Sequence, residues 1–169
     1  QMVVCTHEKM LKVVSLPLGA LRLAELRPLG DPPAPAAVAT VTRQVRRMIG
    51  DEIAAIAAFA PQRAYGSSGS IHALAHVLRH LEGGSPLRHV NGRLLERKGL
   101  ERALHALEAM SLAERLRLPG IDAPRAEILV PGAIVLVQAL RALDLAALTI
   151  SDFGVREGLL ADYVARHAR

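Results

Sequence analysis

The chain has 169 residues, 51% of them hydrophobic and 22% charged, which is length enough for one domain with a sizeable core. With two Phe, two Tyr and no Trp, the core falls to Leu, Val, Ile and Ala. Aromatic platforms for stacking bases are nearly absent and the net charge of +5 is dispersed, so a nucleic-acid binder is disfavoured. A single cysteine, Cys5, excludes an internal disulfide and suits a reducing compartment.

Residues 2–6 and 10–16 are β-branched, apolar runs on either side of His7, Glu8 and Lys9, the spacing of a hairpin with a polar turn. A strand already under way at Gln1, with neither leader nor initiating Met, predicts that the chain is entered partway through a domain. Pro17 and Gly19 stop the second strand, because Pro cannot donate to a sheet ladder. A stiff loop over 30–35 leads into a helix over 36–60, in which Val38, Val41, Val45, Met48, Ile49, Ile53 and Ile56 recur at three- and four-residue steps until Pro61.

A short strand at 63–65 then runs into Gly66-Ser67-Ser68-Gly69-Ser70, where a helix starts that ends before Gly83. Residues 90–118 carry a helical pattern with a break at Gly99 and a capping-box spacing from Ser111 to Glu114. Pro119-Gly120 is a turn, 123–143 a helix kinked or restarted at Pro131, 148–150 a last strand and 155–168 a closing helix. This order predicts an α/β layer with a mixed sheet. The most apolar run, 128–137, is interrupted by Pro131 and Gly132 and closed by Gln138 and Arg141. That falls short of the roughly 20 uninterrupted apolar residues that span a bilayer. With no signal-peptide pattern either, the expectation is a cytoplasmic protein without a membrane partner.

Three features carry possible chemistry. Gly66, Ser67, Ser68, Gly69 and Ser70 lie between a strand and a helix, where small residues admit a ligand and free amides at the helix start attract phosphate. Ordinary caps and tight turns use the same residues. The cations are Arg apart from Lys9, Lys12 and Lys98, and an Arg fork fits phosphate oxygens, although charge spread over solvated helix faces gives the same composition. His72, His76 and His80 share one helical face, but with no fourth ligand identifiable they read as a solvent-facing stripe and not as a metal site.

Several segments follow one another in register: Leu16-Pro17-Leu18-Gly19-Ala20-Leu21-Arg22-Leu23, Gly66 to Ser70, Ser111-Leu112-Ala113-Glu114-Arg115, Pro119-Gly120, Pro124-Arg125-Ala126-Glu127, Gly132-Ala133-Ile134-Val135 and Ser151 to Leu160. Together they resemble the exopolyphosphatase / guanosine pentaphosphate phosphohydrolase family over nearly the whole chain. The resemblance implies the second lobe of an actin-like ATPase (ribonuclease H-like) fold, a five-stranded mixed sheet flanked by helices, here with its first strand missing. The family motif matching residues 66–70 usually reads Gly-Thr-Ser-Gly-Thr, so Ser67 and Ser70 keep the hydroxyls and lose the methyls. By this resemblance Gly66, Ser67, Ser68, Gly69 and Ser70 line the cleft and contact the phosphate chain. Arg125 borders the same cleft and could fork onto polyphosphate or guanosine pentaphosphate, with local pairing to Asp122 or Glu127 as the alternative. Arg156 and Glu157 are expected to form a buried ion pair locking the last helix to the sheet.

The departures from the family matter equally. Neither phosphate loop is present, and none of Glu8, Glu25, Glu52, Glu82, Glu127 or Glu157 matches the carboxylate that activates water. Positioned water and Mg²⁺, which phosphoanhydride hydrolysis requires, are therefore assigned to a missing first lobe, and this chain is expected to hold no catalytic residue and no metal of its own. Without its middle strand the sheet has an unfilled slot. Buried unpaired backbone groups cost about 1–3 kcal/mol each, against about 5–15 kcal/mol of net stability for a domain. The isolated chain is accordingly expected to fold poorly, to borrow a strand, or to come from a longer protein. The family also implies a possible homodimer. A non-catalytic module that binds polyphosphate or a nucleotide is the alternative function.

Overall fold

The computed structural model describes residues 1–167. An antiparallel hairpin opens the fold, β1 (Met2–Cys5) pairing with β2 (Met10–Val14). Val4 and Val14 turn inward onto Ile56, whereas Val3, Met10 and Val13 are exposed. A short helix, α1 (Ala20–Leu26), follows, and then the long α2 (Pro35–Ala57), in whose predicted stripe Val38, Val41, Val45, Ile49, Ile53 and Ile56 are buried and Met48 is half-buried. Helix α1 is missing from the sequence expectation, because seven residues are too few to display a period.

Next come β3 (Tyr65–Gly66), α3 (Gly69–Leu81), β4 (Leu94–Glu96), α4 (Arg97–Glu108) and the four-residue α5 (Leu112–Arg115). The capping box at Ser111 and Glu114 is formed, each partner satisfying the other's backbone amide. Strand β4 replaces part of the predicted helix over 90–118, its Leu-Leu-Glu sequence lacking any β-branched signal. Gly99 is not a break either. It lies inside α4, buried, where an added Cβ would sit 3.5 Å from Leu78. That is ordinary van der Waals contact, so the position faces α3 without requiring glycine.

Helix α6 (Ala123–Ala142) runs unbroken through Pro131 and is the hub of the molecule, packing against α1, α2, α3 and α4. By length and composition alone it could cross a membrane, but Ala126, Leu129, Val130, Ala133, Ile134 and Val137 are buried among the other helices. Strand β5 (Ala147–Ile150) forms a three-stranded mixed sheet in the order β3-β5-β4, parallel to β3 and antiparallel to β4. Leu95, Leu148 and Ile150 point into the core, and Tyr65 and Leu94 remain exposed.

The α/β layer with a mixed sheet is thus present, and among the described residues the strands form two sheets, the β1-β2 hairpin and β3-β5-β4. The closing helix α7 (Val155–His167) brings a correction. It has no buried residue, Arg156 and Glu157 are exposed, and Glu157 accepts from the Gly154 amide at 2.7 Å instead of pairing with Arg156. A buried lock requires a docked helix. This one is bare, with Leu159, Leu160, Tyr163 and Val164 each more than half exposed.

Candidate functional site

The small-residue turn leaves β3 at Gly66 and enters α3 at Gly69. Ser68 is extended, with φ −169° and ψ 157°, and its Oγ accepts from the Ile71 amide at 3.2 Å, the bond of an N-cap. The amides of Gly69 and Ser70 precede the first helical bonds, so they are donors that the helix does not use. Ser67 is exposed beside them. Gly66 is required by packing, since a Cβ there would lie 2.4 Å from Leu148 Cδ1 and 2.6 Å from Ile71 Cδ1. Ser70 faces another way: its side chain lies against Gly132 of α6, 3.2–3.3 Å from where a Cβ on that glycine would be. Its hydroxyl therefore belongs to the α3–α6 contact more than to the turn's open side.

Arg125 arrives from the start of α6. Asp122 caps that helix, accepting the Arg125 amide at 3.0 Å on Oδ1 and the guanidinium at 2.7 Å on Oδ2. The same guanidinium lies over Gly69, whose added Cβ would stand 3.0 Å from Nε. The two sequence-predicted features, 56 residues apart in numbering (125 − 69), therefore meet at one corner. Asp122 orients the arginine without burying it, and the side chain stays 44% exposed. The expected local pairing with Asp122 is formed, and it leaves the guanidinium beside the turn. A donor-only fork beside two free amides is chemistry for an oxyanion.

Histidines complete the corner, and they contradict the solvent-facing stripe. His72 and His76 are half-buried on α3, and only His80 is exposed. His72 Nε2 is 3.3 Å from Asp152 Oδ1, the distance of an ion pair without the alignment of a hydrogen bond. Asp152 itself is held by the Asn91 side chain, which accepts its amide at 2.9 Å. His76 packs on Gly120, where the backbone has φ +78° and a Cβ would lie 2.7 Å from Nδ1, so only glycine fits. Burial, then the charges of His72 and Arg125, hold the His76 imidazole below its ordinary pKa. The i, i+4 spacing displayed these two residues in the sequence, but not the direction of their face. Asp152 and Asn91, brought in from remote loops, gave no signal.

No three His, Cys, Asp or Glu side chains converge to hold a metal among the described residues. The two carboxylates at this corner are already committed, Asp122 to Arg125 and Asp152 to His72. This donor set does not fit Mg²⁺.

These elements define an α/β layer in which a guanidinium and two free amides meet between a strand and a helix start. Residues 1–167 match the Ppx/GppA phosphatase family, and the chain belongs to it. It is 36% identical to an uncharacterized protein of Streptomyces coelicolor, over 90% of this chain and 45% of that one. It is 31% identical to exopolyphosphatase 1 of Mycobacterium tuberculosis, over 87% of this chain and 42% of that protein. The crystal structure of an exopolyphosphatase from Cytophaga hutchinsonii superposes with a TM-score of 0.84 at 22% identity, covering 97% of this chain and 53% of that one. The fold is shared with that enzyme. The chain spans less than half the length of the two sequence relatives.

Proposed function

We propose that this chain is the second lobe of a cytoplasmic phosphoanhydride hydrolase acting on inorganic polyphosphate or guanosine pentaphosphate, and that it supplies one wall of the substrate cleft. The observation that carries this reading is the Arg125 guanidinium lying over Gly69 at the start of α3, in a member of the Ppx/GppA phosphatase family. Phosphate oxygens would accept from the Gly69 and Ser70 amides and from the Arg125 fork, with the Ser67 hydroxyl on the exposed side. The corner holds and orients the phosphate chain. Water activation and Mg²⁺ belong to a first lobe carried by other sequence.

Two further observations support a two-lobed protein. Helix α7 offers Leu159, Leu160, Tyr163 and Val164 to solvent, and the hairpin offers Val3, Met10 and Val13. Contiguous exposed apolar surface of this kind marks a surface that something else covers. The division of the strands into two sheets leaves edges on β1 and β3, where a further strand could join them into one layer. The test is orthophosphate release from polyphosphate and from guanosine pentaphosphate by the full polypeptide, with Mg²⁺. Release from either substrate is expected, and silence on both defeats the proposal.

A further inference from the structure

We propose a second ligand site in the crevice between the C-terminal end of α3 and the β4–α4 corner, taking a phosphate-bearing organic molecule of about nucleotide size. The crevice has a volume of about 300 Å³ and brings together Arg79 of α3, Arg93 just before β4 and Arg102 of α4. That volume lies at the lower end of the roughly 300–1,000 Å³ typical of small-molecule sites. It is separate from the Arg125 corner: Arg79 is ten residues along α3 from Gly69 (79 − 69), about 15 Å at 1.5 Å per residue.

Among the described residues the three guanidiniums at this crevice have no carboxylate partner, a state they share with other arginines of the fold; what sets them apart is that they line one crevice. Arg97, Arg115, Arg125, Arg141 and Arg166 each have a carboxylate within 4.0 Å. No such pair is formed by Arg79, Arg93 or Arg102 among the described residues, although Glu82 and Glu96 line the same crevice. All three are exposed, and two of them are positioned by neighbours. Arg93 Nε donates to the His89 carbonyl at 3.0 Å. Arg79 lies across Gly84, where an added Cβ would sit 2.0 Å from its Cζ. Three guanidiniums outnumber the two carboxylates, Glu82 and Glu96, at this crevice, and the excess positive charge favours an anion.

The remaining lining narrows the ligand class. Leu78, Leu87 and Leu95 give the crevice apolar surface, and Glu82 and Glu96 are acceptors only. Bare inorganic phosphate leaves those leucines uncovered and is repelled by the two carboxylates. A ligand with a phosphate for the arginines, an apolar body for the leucines, and hydroxyl or amine donors for the carboxylates satisfies every group.

The probe is adenosine monophosphate, titrated calorimetrically into the full polypeptide, with inorganic phosphate as the comparison arm. The nucleotide is expected to bind at least about tenfold more tightly than phosphate, and equally in wild type and Arg125→Ala. Arg79→Ala and Arg102→Ala should each weaken it by about tenfold or more, the loss of a charge-assisted hydrogen bond, while orthophosphate release from polyphosphate is unchanged. Gly84→Ala should weaken it too by displacing Arg79, a shift that a flexible side chain makes without unfolding the protein, as circular dichroism verifies. The proposal is overturned if no nucleotide binds, if phosphate binds as tightly, or if binding is lost in Arg125→Ala but survives in Arg79→Ala and Arg102→Ala. Because it does not involve the Arg125 corner, its failure leaves the proposed function standing.

Discussion

Gly66→Ala is the sharpest test of how the turn is built. The added methyl meets Leu148 Cδ1 at 2.4 Å and Ile71 Cδ1 at 2.6 Å, whereas carbons rest at about 3.5–4.0 Å. Each neighbour must therefore retreat by about 1 Å. Leu148 is 2% exposed and has little room to turn, so the strain passes into the β3–β5 pairing. Overpacking of this kind costs about 1–3 kcal/mol. The local reporters are the Thr149 and Ser151 amides, which donate to Ala64 at 2.8 Å and Gly66 at 2.9 Å. At about 1.4 kcal/mol per factor of ten, their hydrogen exchange should accelerate by about 5- to 150-fold, measured by mass spectrometry or NMR on the full polypeptide. Unchanged protection at both amides would refute the reasoning, since it would mean that the strand has space the structure denies it.

Three other outcomes follow from the same geometry. Ser68→Ala removes the cap on α3 and should cost about 1 kcal/mol in chemical denaturation, whereas Ser67→Ala should cost nothing measurable, because its hydroxyl is exposed and caps nothing. His76 should make stability depend on pH in one direction. Above its ordinary value of 6.5 the imidazole is neutral both folded and unfolded, and below it the unfolded chain takes the proton first, because burial lowers the folded pKa. Stability should thus fall as pH drops from about 6.5 toward the depressed folded value, and His76→Gln, compared by denaturation across pH 5 to 8, should flatten that slope. Gly120→Ala should destabilise the protein even at neutral pH, because it meets both the φ of +78° and the His76 ring, and an unchanged melting temperature would contradict that packing.

The sequence displayed what has a period or a stop. The α2 stripe, the Ser111–Glu114 box and the turn at residues 66–70 all lie where patterning places them, because burial of a helical stripe and capping are local rules. It hid what depends on tertiary contact. Gly99 looks like a helix break and is a point of helix contact, and Leu94-Leu95-Glu96 becomes a strand only because β5 offers an edge. Arg156 and Glu157 look like a core ion pair only if α7 is docked, and it is not. The candidate corner was half legible. Its glycines, serines and arginine stand out by type, but the inward turn of His72 and His76, the approach of Asp152 and the withdrawal of Ser70 toward Gly132 depend on how α3 seats against α6.

In the proposed function, one corner of this fold receives a phosphate chain through backbone amides and an oriented arginine. The most direct measurement is an amide-resolved titration of the full polypeptide with tripolyphosphate, in wild type and in Arg125→Ala. The largest shifts should fall on the Gly69 and Ser70 amides, with affinity reduced about tenfold or more by the substitution. Shifts that leave those two amides untouched, or equal binding by the two proteins, would contradict it.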